Sequence, residues 1–179
     1  MGQMSALMTV VVVIIVAILV IIGAWAYSRA NRLDRLNVRV DLAWQALEAA
    51  LERRTVVVRV LTAWMEDSGD PEIATAARHL AACADAAEHA PRTSREDAEN
   101  ALSTALSRID PSVRPPGLIA ELADAETRVM MARRFYNDAV RDTRSLADRF
   151  LVRLLRLGGR AQRPEYFEIV ERVTPGTAD

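Results

Sequence analysis

The sequence predicts an all-α protein: an N-terminal transmembrane helix followed by an antiparallel four-helix bundle with two long and two short helices. Three observations predict it. The first 28 residues carry no charged side chain. Two later segments, Arg29 to Glu66 and Leu118 to Leu157, lack Gly and Pro, and their apolar residues recur every three or four positions. Finally, 7 Gly and 7 Pro in 179 residues leave too few turns for a β-sandwich, which needs one every ~8–12 residues.

The opening segment, 1–28, is the most legible. From about Leu7 to Tyr27 it is almost wholly apolar, with twelve Val, Ile and Leu between Val10 and Ile22. About 20 residues at 1.5 Å each match the ~30 Å hydrocarbon core of a bilayer. Those twelve side chains favour insertion by about 4–7 kcal/mol, with no charge to offset them. In lipid the backbone must satisfy its own hydrogen bonds, so a β-branched run that makes a mediocre helix in water is helical there. A cleaved signal peptide fits less well, because no Arg precedes the run and the run exceeds a usual apolar core of ~7–15 residues. Arg29, Arg32, Arg35 and Arg39 follow the span and no basic residue precedes it. The positive-inside rule therefore places the N-terminus outside and the rest in the cytoplasm, at a cell membrane. Trp25 and Tyr27 stand where interfacial aromatics do.

Residues 29–159 form the predicted cytoplasmic bundle. The first stripe reads Leu33, Asn37, Val40, Trp44, Leu47, Leu51, Arg54, Val58, Leu61, Met65, an unbroken coiled-coil spacing. Ser68-Gly69-Asp70-Pro71 ends it, with Asp70 as cap and Pro71 as first residue of the next helix. That helix carries Ile73, Ala77, Leu80, Ala84 and Ala87. Thr93 and Glu96 have capping-box spacing before a third helix with Ala98, Leu102, Ala105 and Ile109 on one face. The last helix, Leu118 to Leu157, is striped by Ile119, Leu122, Glu126, Val129, Arg133, Tyr136, Val140, Thr143, Ala147, Phe150, Leu154 and Leu157, and Gly158-Gly159 ends it. Residues 160–179 are a mostly polar tail broken by Tyr166-Phe167 and Ile169-Val170.

The chemistry-bearing residues are few. A net charge of -1 argues against a general nucleic-acid binder. One cysteine, Cys83, excludes an internal disulfide and a Cys-rich zinc site. His79 and Cys83 share a helix face, but a metal site needs three or four ligands, and none is expected. Catalytic and cofactor-binding residues are likewise expected to be absent. Arg54, Glu126 and Arg133 interrupt apolar stripes, and the simplest reading is an interhelical ion pair that fixes register, Arg54 against Glu126. Asn37 is a register device of the same kind, and Trp44, Tyr136 and Asn137 are structural positions beside it. Tyr166 and Phe167 are either a docking motif for a partner or a segment that folds back onto the bundle.

An N-terminal span, then LNVRVDLAWQALEAALERRTVVVRVL, LADAETRVMMARRFYNDAV and a near-terminal PEYFE resembles the LemA family, as a divergent member. The most specific pieces are Ala43-Trp44, Leu51-Glu52-Arg53-Arg54, Glu126 and Ala132-Arg133-Arg134-Phe135-Tyr136-Asn137. The resemblance implies a membrane-anchored helical bundle with a cytoplasmic soluble part, and it brings no catalytic residues. The expected function is a non-enzymatic scaffold or interaction protein at the inner membrane surface. The alternative is an accessory or regulatory subunit of a membrane proteolysis or transport complex. The expected partners are the lipid bilayer and proteins whose identity the sequence does not give, a second copy of the chain being one candidate, and not nucleic acid.

Overall fold

A computed structural model describes residues 2–154 and 163–169. The expected helix end at Leu157, the Gly158-Gly159 stop and Val170 lie outside the described residues. All described regular structure is helical: α1 Gly2–Glu66, α2 Pro71–His89, α3 Arg95–Ser107, a 3-10 turn Pro111–Val113, α4 Pro116–Ala147 and α5 Phe150–Leu154. By length and composition α1 is long and apolar enough to cross a membrane, through an 18-residue apolar window near the N-terminus that buries none of its side chains in the protein.

α1 runs without a break because no Pro precedes Gly69 and no Gly lies between Gly23 and Gly69. It ends where Ser68 donates back to the Met65 carbonyl and Gly69 adopts φ 75°, a left-handed conformation that glycine takes without steric cost. Asp70 then caps α2. Its carboxylate accepts from the backbone N–H of Glu72 at 2.8 Å and of Ile73 at 3.4 Å, with Pro71 at the first helical position. The expected Thr93–Glu96 capping box does not form. α3 starts at Arg95, its cap residue Ser94 makes no side-chain capping bond, and Glu96 serves a different partner described below.

The described chain forms two compact units. One comprises residues 42–137 and the tail from 166. Its apolar core joins Val57, Val58, Leu61 and Met65 of α1 with Ala77, Leu80, Ala84 and Ala87 of α2. Leu102, Ala105 and Leu106 of α3, Ile109, and Leu122 and Ala125 of α4 complete it. Of the expected stripes, Val58, Leu61 and Met65 on α1 and Ala77, Leu80, Ala84 and Ala87 on α2 are buried here, while Val57 joins them from outside the stripe and Ile73 is half-buried. Alanines on α2 bury little area each but admit close helix approach.

The other unit comprises residues 1–41 and 138–165. Leu33, Leu146 and Val152 form its small core, with Leu36 and Ala147 against them. Arg39 pairs with Asp142 at 3.3 Å and Arg163 with Asp148 at 2.6 Å. Here α4 is shorter than the sequence predicts. It stops at Ala147, Asp148 and Arg149 turn, and α5 restarts at Phe150. Had the stripe continued, Phe150 and Leu154 would be inward. Instead the turn swings Val152 onto Leu33 and Leu146 and leaves Phe150 and Leu154 exposed. Ile119, at the other end of the expected stripe, is also exposed. Asn37 is half-buried on α1.

Candidate functional site

Two constellations in the 42–137 unit bring polar chemistry together. The first is an ion network sealed among apolar side chains. Glu99 is fully buried, and both of its carboxylate oxygens are used: Arg54 donates to Oε2 at 2.5 Å and Arg95 donates to Oε1 at 3.0 Å. Arg54 also donates to the Ser103 hydroxyl at 3.2 Å. Arg95 reaches the Glu88 carbonyl at 3.2 Å, near the end of α2. Cations at helix C-termini meet unpaired carbonyls and the negative end of the macrodipole. Arg114 does the same for α3, donating to the carbonyls of Leu106 at 2.9 Å and Ile109 at 2.6 Å.

This corrects the expected Arg54–Glu126 pairing. Arg54 bonds to Glu99 because α3 carries Arg95, Glu99, Leu102 and Leu106 at a four-three-four spacing, placing the carboxylate on its inward face. The sequence held that signal, but the neighbouring stripe through Ala98 and Ala105 was the more apolar choice. Glu126 is half-buried and stands in the field of Arg54 and Arg114. Burial pushes its carboxyl above the ordinary 4.5, and the two guanidiniums partly restrain the rise. Over the window from that ordinary value up to the raised one, the folded chain holds a proton that the unfolded chain has lost. Glu126 therefore lowers stability as pH rises through the window. Glu126→Gln is expected to flatten the stability–pH curve just above pH 4.5, and denaturant titrations across that range check it. An unchanged slope would contradict the burial of this carboxyl.

The second constellation is a clasp around the tail. Trp44 meets the ring of Tyr136 at 5.4 Å and that of Phe167 at 5.7 Å, both edge-on. The Arg92 guanidinium stacks over Trp44 at 4.2 Å and donates to the Tyr136 hydroxyl at 3.1 Å. Phe167 is buried in this aromatic corner and Ile169 is buried beyond it. Asn137 then reads the backbone of Phe167 from both sides. Its Oδ1 accepts from the Phe167 N–H at 2.9 Å, and its Nδ2 donates to the Phe167 carbonyl at 3.0 Å. One primary amide thus satisfies both polar groups of one peptide residue. Glu96 accepts the Glu168 N–H at 3.1 Å, and Asn100 donates to the Glu168 carbonyl at 3.5 Å. Glu96 serves the tail here, and Thr93 lies one residue outside the Ser94 cap position, so no capping box forms.

Of the residues singled out from sequence, Trp44, Tyr136, Asn137 and Phe167 come together in this clasp. Tyr166 keeps 41% of its surface exposed. Arg133 is half-buried on α4. Arg92, Arg95, Glu99 and Asn100, on or beside the short third helix, carry no signal in the apolar pattern, and Glu96 holds the tail where its spacing pointed to a capping box. Cys83 Sγ lies 4.0 Å from His79 Nε2, and among the described residues no group of three potential ligands could hold a metal ion. The chain matches no protein-family model and no curated protein sequence.

Proposed function

We propose that the chain is a membrane-anchored helical interaction module of LemA-like type: one span, then an antiparallel four-helix bundle facing the cytoplasm, holding an extended aromatic segment in a groove. The observation that carries this reading is the Asn137 amide pairing both backbone groups of Phe167. Such a contact reads extended peptide backbone regardless of side chain, while the Trp44–Tyr136–Arg92 corner selects an aromatic at one position. The work is binding, not turnover. The span and its orientation rest on the uncharged run and on the four arginines that follow it.

The test empties the groove and refills it. Phe167→Ala with Ile169→Ala in the full chain removes the two buried tail side chains. A labelled peptide carrying the sequence of residues 163–169 should then bind, with Kd roughly 0.1 mM. Adding Asn137→Ala should abolish binding. No peptide binding to the emptied groove would contradict the proposal.

A further inference from the structure

Three exposed apolar side chains sit on α5: Phe150 at 75%, Leu151 at 49% and Leu154 at 63% exposure. The fourth large apolar residue, Val152, anchors the helix by packing on Leu33 and Leu146. An aromatic and two leucines displayed beside one buried valine are not how a water-facing surface helix is built. Their position gives them an occupant. Within this unit α4 runs antiparallel to α1, since Arg39 faces Asp142 while Leu33 faces Leu146. α4 therefore descends toward the apolar run of α1. Leu33 lies six residues past Tyr27, or ~9 Å along the helix. The headgroup layer of one leaflet is roughly 5–8 Å thick. Flanking charge matches that layer: Arg32, Arg35, Arg149 and Arg153 are exposed, with Arg29 stacked at 5.5 Å over Trp25. Among the acids beside these arginines in sequence, Asp34 is exposed and Asp148 is already paired with Arg163.

We propose that α5 is a second membrane contact, a short wedge that points Phe150, Leu151 and Leu154 from the level of Leu33 into the headgroup layer beside the span while the flanking arginines bind lipid phosphates. This rests on the reading of α1 as a span. The break after Ala147 then has a purpose. A straight continuation of α4 would drive Arg149 and Arg153 toward the bilayer on a rigid rod. The turn instead lays down one face of a short helix, as interfacial helices do. It would also fix the first soluble turns of α1 against the membrane surface, so that the anchor is held at two points.

The experiment uses the full chain with Cys83→Ala, carrying an environment-sensitive fluorophore on either Ile18→Cys or Phe150→Cys, in vesicles of phosphatidylcholine and phosphatidylglycerol. Position 150 is exposed, so the label does not disturb packing. The expected result is blue-shifted emission and loss of quenching by aqueous iodide at both positions. A shielded position 18 with a water-like position 150 overturns the wedge and leaves the span standing. A water-accessible position 18 overturns the span, and the wedge with it.

Discussion

Glu99→Ala is expected to destabilise the folded protein by about 3–5 kcal/mol, because it strands two buried guanidiniums that share this one carboxylate. Arg54 and Arg95 are each about 4% exposed, and Arg54 Nε and Arg95 Nη2 already have no hydrogen-bond partner. Neither arginine can turn to water without opening the core. The network is costly to break but not costly to replace. Exchanging Arg54, Arg95 and Glu99 together for Met, Met and Leu should be neutral or stabilising, since the desolvation of three ions disappears with their attraction. Chemical denaturation of the full chain in detergent, followed through helical circular dichroism, measures both. A double-mutant cycle between Arg54 and Glu99 should show strong coupling, and one between Arg54 and Glu126 much weaker coupling. A loss below about 1 kcal/mol for Glu99→Ala, as exposed pairs give, would contradict the sealed network.

Trp44→Ala is the second large loss, about 3 kcal/mol, at the low end for removing a packed aromatic because Trp44 is half-buried. The indole supports Tyr136, Phe167 and Arg92 at once. The substitution should therefore also release the tail to protease, an effect that a generic core truncation such as Leu61→Ala should not share below the unfolding transition. Trp44→Phe should keep the tail protected and recover much of the stability. If the tail of Trp44→Ala resists protease as well as that of the parent, the aromatic corner does not hold it.

How much was legible differs by element, for physical reasons. α1 and α2 were readable because their periodicity is strong and their ends are written in Gly69, Asp70 and Pro71. The uncharged opening run was equally plain. The inward face of α3 was not, because a buried Arg–Glu pair at i, i+4 looks like an exposed helix pair until the neighbouring helix supplies Arg54. The same ambiguity sent Arg54 to Glu126 on α4, which is a near electrostatic neighbour but not its bonded partner. The break in α4 carries no Gly or Pro. It arises from tertiary packing of Val152 on Leu33, which no local pattern encodes. The clasp was half legible. Phe167 and Asn137 stood out as residues, but their pairing joins positions 30 apart through a backbone contact that leaves no trace in side-chain periodicity.

In the proposed function a groove on the helices grips the backbone of an extended aromatic segment. Residue-resolved hydrogen exchange on the full chain tests it most directly. The Phe167 and Glu168 amides, donated to Asn137 and Glu96, should be protected in the parent chain. In Asn137→Ala the Phe167 amide should exchange freely while the amides of α2 and the buried half of α4 stay protected. Exchange at the rate of an unstructured peptide at both tail positions in the parent chain would contradict a tail gripped by Asn137 and Glu96.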